Sequence, residues 1–479
     1  MSDSDNIKAG PAPNSKAPVS ASDRPNVVFV LCDDLGINDL HVYGRTDHDT
    51  PNLDALAAQG MRFTSAYASQ AICSASRAGL LTGLNPARLH LTTYLPGRPD
   101  ASSQRVLHPE IMLQVPRTIK TFPRFFQEAG YVTGFVGKWH IGANPGPAEH
   151  GFDQVYHPGD GRNTIPSDEE GGKAEYELTR EALRFIETHR NRPFALYLSH
   201  YTPHIPYTAH PRLIERHGRA FEPVYAALIQ TLDDTVGLLL RGLDKLNLTD
   251  RTIVVFTSDN GGLHVPELNH DRVTHNTPYR AGKGYVYEGG QRVPLIVRWP
   301  GHIPEGCVTQ APVINTDWIP TLLDLAGAPI PPGLDGISFA AGLTGGVFPE
   351  RPLYWHFPHY TNQGGRPGGA MRDGPWMLIE RYDEEAVELY EISADAGQRH
   401  DLSRQNPERT AAMRARLAAW RTANHAQNNT PNPACCEEKF RVLYQEPDPS
   451  RFDPVRATDA EWSDIRKWRV RMDAAVKAP

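Results

Sequence analysis

The chain has 479 residues, 39% hydrophobic and 22% charged, a balance that fits a globular protein and excludes disorder over its full length. Its 49 Lys and Arg against 56 Asp and Glu leave a net charge of −7, so no basic excess points to nucleic acid or an anionic membrane as a partner. No apolar run approaches the roughly 18 residues of a membrane-spanning helix, and the length predicts a large domain with an appended subdomain.

Met1 to Arg24 is rich in Ser, Asp, Pro and Ala with no apolar core, which predicts a disordered tail rather than a signal peptide. On that reading the chain as given is cytoplasmic; if a leader has been removed, it is periplasmic or secreted. Asn26 to Leu31 is a continuous apolar run, the pattern of a strand buried on both faces, and it ends in Asp33-Asp34. Thr50-Pro51 opens a helix that Gly60 closes. Tyr131 to Val136 is strand-like and leads into Lys138-Trp139-His140, and Glu175 to Arg190 has helical periodicity. Phe194 to Leu198 is strand-like, with His200 and His204 just beyond, and Val224 to Leu246 is a helix. Thr252 to Thr257 is a strand ending in Asp259-Asn260; Val293 to Trp299 is a further apolar run and Thr316 to Leu325 a further helix.

Strands alternating with helices predict an α/β fold, a large and mostly parallel central sheet sandwiched by helices. Four of the strand-like runs are followed at once by metal-ligand or acid-base residues. Sites in open α/β sheets form just beyond the carboxyl ends of strands, so this pattern points to an enzyme. After about Arg351 the texture changes. Pro352 to Gly369 reads as a structured loop, Ala370 to Glu380 and Ala386 to Ile392 as two strands, and Asn406 to Ala423 and Trp462 to Val476 as helices. The expected organisation is a tail over 1–24, a catalytic domain over 25–350 and a smaller C-terminal α+β subdomain over 351–479. The five cysteines are too sparse for a disulfide framework.

Cys73-Ser74-Ala75-Ser76-Arg77 is expected in a loop just ahead of the apolar segment Ala78 to Leu84 and is followed by Ala-Gly-Leu-Leu-Thr-Gly83. This run resembles the signature of the type I sulfatases, members of the alkaline phosphatase superfamily. Most members carry Pro where this chain has Ala75. Further blocks are similar to the family's: Pro25 to Gly36, Gly137 to His140, Thr202-Pro-His204, Ser258 to Gly261, Gly282-Lys283 and Tyr287 to Pro294. The resemblance extends to about Leu402 and looks closest to bacterial carbohydrate sulfatases and arylsulfatases. It implies that a maturation enzyme oxidises Cys73 to formylglycine (3-oxoalanine).

The chemistry has its own logic. Displacing an alkoxide from a sulfate monoester requires a nucleophile, positive charge on the sulfonyl oxygens and an acid at the leaving oxygen. A hydrated formylglycine offers two hydroxyls: one attacks, and the other later lets the diol collapse to the aldehyde and expel sulfate. Asp33, Asp34, Asp259 and Asn260 are hard oxygen ligands that suit Ca²⁺, or alternatively Mg²⁺, with Cys73 beside them. By the resemblance, Arg77 braces the diol, Lys138 and Lys283 hold sulfate oxygens, His140 triggers collapse, and His204 protonates the leaving group with Lys283. His200 reads equally as a structural hydrogen-bonder.

Substrate recognition is less legible. Trp355 to Tyr360 and Arg366 make an aromatic and basic cluster, with His356, His359 and Arg366 as candidate sugar contacts; in a second reading this loop seals the domain joint. Tyr94 to Arg98 and His264 to His275 are further rim candidates. The expected substrate is a sulfated sugar or a small aryl sulfate. Two other readings stand beside it: a phosphodiesterase or phosphonate monoester hydrolase of the same superfamily, and a non-catalytic sugar-binding protein that retains an unmatured Cys73.

Overall fold

The computed structural model describes residues 24–158, 173–268 and 270–477. Apart from Arg24, the tail expected over 1–24 lies outside these. Among the described residues fifteen strands form: β1 (Asn26–Cys32), β2 (Met61–Tyr67), β3 (Val106–Leu107), β4 (Val132–Gly137), β5 (Gln154–Tyr156), β6 (Phe194–Ser199), β7 (Thr252–Ser258), β8 (Arg292–Arg298), β9 (Cys307–Thr309), β10 (Val313–Ile314), β11 (Leu353–Phe357), β12 (Gly368–Asp373), β13 (Trp376–Arg381), β14 (Val387–Glu391) and β15 (Thr430–Pro431).

A nine-stranded sheet runs β10-β2-β8-β7-β1-β6-β4-β5, with β9 also on β2. β8 is antiparallel to β7 and β2. The other pairings are parallel. Side chains of β1 alternate between two apolar cores. Val27, Phe29 and Leu31 pack with the helices over 73–82, 122–128 and 318–325. Val28, Val30 and Cys32 pack with those over 51–58, 175–189 and 223–245. Burial on both faces is why these strands read as unbroken apolar runs.

Register places the strand ends level. Leu31 lies opposite Ser199, Cys32 opposite Ser258, and Gly137 opposite Ser199. The chain therefore leaves β1, β4, β6 and β7 at one edge of the sheet, and the four predicted clusters emerge together. Gly137 sits at φ 105°, and a Cβ there would lie 1.9 Å from the Ser199 carbonyl oxygen, so only glycine permits the close turn into Lys138.

Beyond the main sheet, β11-β12-β13-β14 form an antiparallel sheet backed by the helix Pro407–Ala423, while β3 pairs with β15. Three expectations are corrected here. The loop predicted over 352–369 contains β11. The single strand predicted over 370–380 is a hairpin, β12 and β13, turning at Gly374 with φ 55°. Cys73, expected in a loop, is the first residue of the helix Cys73–Thr82. The helices Glu437–Tyr444 and Asp459–Lys477 pack together around Phe440, Leu443, Trp462 and Trp468. Among the described residues no helix is long and apolar enough to cross a membrane.

Candidate active site

The site is built on three carboxylates at the ends of β1 and β7. Asp33 takes its backbone from a bond to the Thr202 carbonyl at 3.0 Å. Asp34, at φ 67°, donates its N–H to Asp259 Oδ1 at 3.1 Å. Asn260 Nδ2 donates to Asp34 Oδ1 at 2.8 Å. Ser258 Oγ accepts the Leu35 N–H at 3.0 Å and donates to the Asn260 carbonyl at 2.9 Å, so β7's last hydroxyl ties both loops together.

Three cations answer these carboxylates. Arg77 Nε donates to Asp259 Oδ2 at 2.7 Å, and its other nitrogens reach Ser199 Oγ at 2.7 Å and Asp33 Oδ1 at 3.4 Å. Lys138 Nζ donates to Asp33 Oδ2 at 2.5 Å and Lys283 Nζ to Asp34 Oδ2 at 2.6 Å. All six groups are buried. Burial alone raises a carboxyl's pKa and nearby cations lower it. At Asp259 burial wins against Arg77 and the pKa stands at about 7. At Asp33 burial is outweighed by Lys138, His204 and Arg77, and the carboxyl is held well below its usual range.

Ligand atoms of Asp33, Asp34, Cys73 and His204 all lie within 4.8 Å of one another. Within this dense network, Asp33 Oδ1 and Asn260 Oδ1 are buried and accept no hydrogen bond. Asp33 Oδ1 has only the Arg77 ion pair at 3.4 Å, and a buried oxygen left without a hydrogen bond costs on the order of 1–3 kcal/mol. Hard carboxylate and amide oxygens left without hydrogen bonds just beyond the paired strands β1 and β7 are the donor set of a Ca²⁺- or Mg²⁺-type cation, so the residues fit a divalent metal.

Cys73 is 2% exposed, and burial pushes its thiol up to about 11 despite Lys283 and Lys138. The unmodified thiol is therefore protonated at neutral pH and a weak nucleophile. His140 is held neutral, its pKa well below normal through burial, then Lys138 and Arg77. His204 lies with Nε2 3.7 Å from Asp34 Oδ2, and its Nδ1–H donates to the Ile205 carbonyl at 2.5 Å, which orients the ring. Burial and then Lys283 hold its pKa well below normal. His200 is buried and its backbone N–H donates to Leu31 O at 2.9 Å, which ties β6 to β1.

The candidate sugar contacts are engaged internally. His356 is 1% exposed and bonds Tyr382 Oη at 2.9 Å and the Gln427 carbonyl at 2.8 Å. His359 bonds Thr92 Oγ1 at 2.7 Å. Arg366 grips Asp383 with two bonds of 2.8 Å. Of these, the His359–Thr92 bond joins the segment to the larger domain. Arg98 likewise donates to the Thr361 carbonyl and Tyr444 Oη, both at 3.0 Å, and His264 bonds the Pro449 carbonyl at 3.0 Å. Sequence reasoning missed Ser199 and Ser258; each is the last residue of its strand, one hydroxyl ahead of the site.

A sequence model of the sulfatase family matches residues 25–328, and one described as N-sulphoglucosamine sulphohydrolase, C-terminal, matches residues 281–423. N-acetylgalactosamine-6-sulfatase of Mus musculus is 34% identical over 370 residues, covering 70% of this chain and 69% of that protein. N-acetylgalactosamine-6-O-sulfatase of Bacteroides thetaiotaomicron is 29% identical, covering 81% of this chain and 91% of that one. The crystal structure of Ps i-CgsB in complex with k-i-k-neocarrahexaose aligns with a TM-score of 0.73 at 27% identity, covering 95% of this chain and all of that one. Fold, strand-end cluster and kinship agree: this chain belongs to the type I sulfatase family and is a sulfuric ester hydrolase.

Proposed function

We propose that this sulfatase hydrolyses an O-sulfate monoester carried on a carbohydrate, using formylglycine at position 73 and Ca²⁺, with Mg²⁺ as the alternative ion. The observation that carries the reading is the meeting of Cys73 with Asp33, Asp34 and His204 around two open oxygens. Support for a sugar comes from the relatives, whose names set their sulfate on N-acetylgalactosamine, and from the hexaose bound in Ps i-CgsB.

The hydrated aldehyde would supply the nucleophile, and the ion, held by Asp33, Asp34, Asp259 and Asn260, would supply positive charge beside it. Lys138 and Lys283, paired with Asp33 and Asp34, bind the sulfonyl oxygens as point charges. Arg77 fixes Asp33 and Asp259 to each other, so their oxygens converge. His204 delivers a proton from Nε2 to the leaving oxygen; the bound anion offsets Lys283 and draws the ring's pKa back up. His140, neutral, takes the proton that frees sulfate from position 73 and restores the aldehyde. All ten residues of the helix Cys73–Thr82 are buried, so a maturation enzyme has to meet this segment before the chain folds.

The test is a pair of measurements after expression beside a maturation enzyme. Mass spectrometry of the Cys73 peptide reads the thiol-to-aldehyde conversion, and turnover of a panel of sulfated mono- and disaccharides reads the substrate. An aldehyde with turnover of sulfated sugars is expected. An aldehyde-bearing protein that cleaves nitrophenyl phosphodiesters faster than every sulfate ester would overturn the reading.

A further inference from the structure

Lys173 stands just ahead of the helix Glu175–His189 and is 2% exposed, yet its Nζ makes no hydrogen bond. Lys138 and Lys283, the other two ammonium groups of the site, are each locked onto an aspartate. An ammonium buried without a partner is expensive, and the usual reason to keep one is an anion that arrives.

Its surroundings say where that anion comes from. The Lys173 N–H donates to Glu175 Oε2 at 2.7 Å, and Thr202 Oγ1 donates to Glu175 Oε1. The Thr202 carbonyl accepts the Asp33 N–H at 3.0 Å. One buried carboxylate thus ties the Lys173 backbone to the loop beside the metal-type ligands. The charges acting most on Lys173 are Asp33, Lys138, Glu175 and Asp34, which sets it at the same cluster. Burial lowers its pKa to about 8, so it stays largely cationic at neutral pH. Lys173 is among the charges that bear on His204 and His270. His270 packs against Tyr207 with ring centroids 4.6 Å apart and the rings tilted by 42°. The Glu175 link ties Lys173 to Thr202, and the same loop carries His204 two residues on, so Lys173 is tethered to the loop that holds the proposed proton donor to the leaving group.

We propose that Lys173 binds a second anionic group of the substrate, a sulfate or carboxylate on the sugar bearing the scissile ester or on its neighbour, so that the preferred substrate is a multiply charged sugar. This rests on the sulfatase reading above. The test is calorimetric binding to Ca²⁺-loaded protein in a Cys73→Ala background, which binds without turnover. Three probes are compared: an N-acetylhexosamine 6-sulfate, a hexosamine 2-N,6-O-disulfate, and a uronate-linked N-acetylhexosamine 6-sulfate. Lys173→Met is expected to weaken one or both polyanions by about 10–100-fold and the monosulfate by less than about 3-fold, the size of one charge-assisted contact. Which polyanion weakens identifies sulfate or carboxylate. Lys173→Arg is expected to keep the preference. The ratio of affinities within one variant cancels any misfolded fraction. Equal weakening on all three probes would put Lys173 on the scissile sulfate and overturn the proposal, as would no weakening on any. If unmutated protein binds these sugars but turns over no sulfate ester, the sulfatase reading fails while the affinity ratio still decides the role of Lys173.

Discussion

Two buried charge clusters lie at either end of the loop over 280–288, and they differ in one respect. Around Glu388 every oxygen is used: Tyr287 Oη donates to both at 3.0 and 2.8 Å, Tyr390 Oη donates at 2.7 Å, and Arg280 at 3.3 Å. Around Asp33 the network is as dense, yet Asn260 Oδ1 accepts no hydrogen bond and Asp33 Oδ1 has only an ion pair with Arg77 at 3.4 Å. Saturated charge welds two pieces of chain together. Charge with open valence is a receptor, because its desolvation cost is recovered only when a ligand arrives.

The contrast can be broken from the largest effect downward. Cys73→Ala is expected to lower turnover of nitrophenyl sulfate by about 10⁴-fold or more, since a methyl group forms no diol. Retained activity would mean the receptor works without its nucleophile. Asp259→Ala is expected to lose both bound metal, read by elemental analysis, and activity by at least about 10²-fold. Activity undiminished after exhaustive chelation would contradict the metal's role. His204→Ala is expected to cost about 10²-fold on a sugar sulfate but under about 10-fold on nitrophenyl sulfate, whose leaving group needs little acid help. Equal losses on the two would remove His204 from proton transfer.

The Glu388 weld calls for a stability readout. Burial raises its carboxyl's pKa, but Arg381 and Arg280 outweigh burial and hold it at about 2. The fall from the ordinary 4.5 to about 2 corresponds to on the order of 3 kcal/mol. A depressed folded-state pKa gives stability that is complete above about 4.5 and is lost as pH falls towards 2. Glu388→Gln is expected to lower stability at pH 7 by roughly that amount and to flatten the acid limb of the denaturation curve between those values. An unchanged acid limb would show the weld to be weak.

Much of this contrast was legible in the sequence. Double-sided burial makes β1, β4, β6 and β7 continuous apolar runs, and polar residues straight after such runs mark the active edge. β2 was not legible, because Met61–Tyr67 mixes Thr, Ser and Arg among its apolar positions. β11 was hidden by its histidine and aromatics, which read as a loop. The helix at Cys73 was obscured because it is buried on every side and shows no polar stripe. At the site, residue types were readable, but which oxygen remains open depends on hydrogen bonds between loops over 200 residues apart. Lys173 carries no local signal at all; its burial comes from the fold.

The position of Lys283 has a practical corollary. Its loop is stapled to the smaller sheet through Arg280 and Tyr287, and Tyr285 Oη donates to the Gln363 carbonyl. Trimming the gene after the larger α/β body would cut those staples and let the lysine drift from Asp34. A shortened version would lose those staples together with Trp355, Phe357, Met377 and Ile379, which share one apolar core with the main sheet, and is expected to be inert.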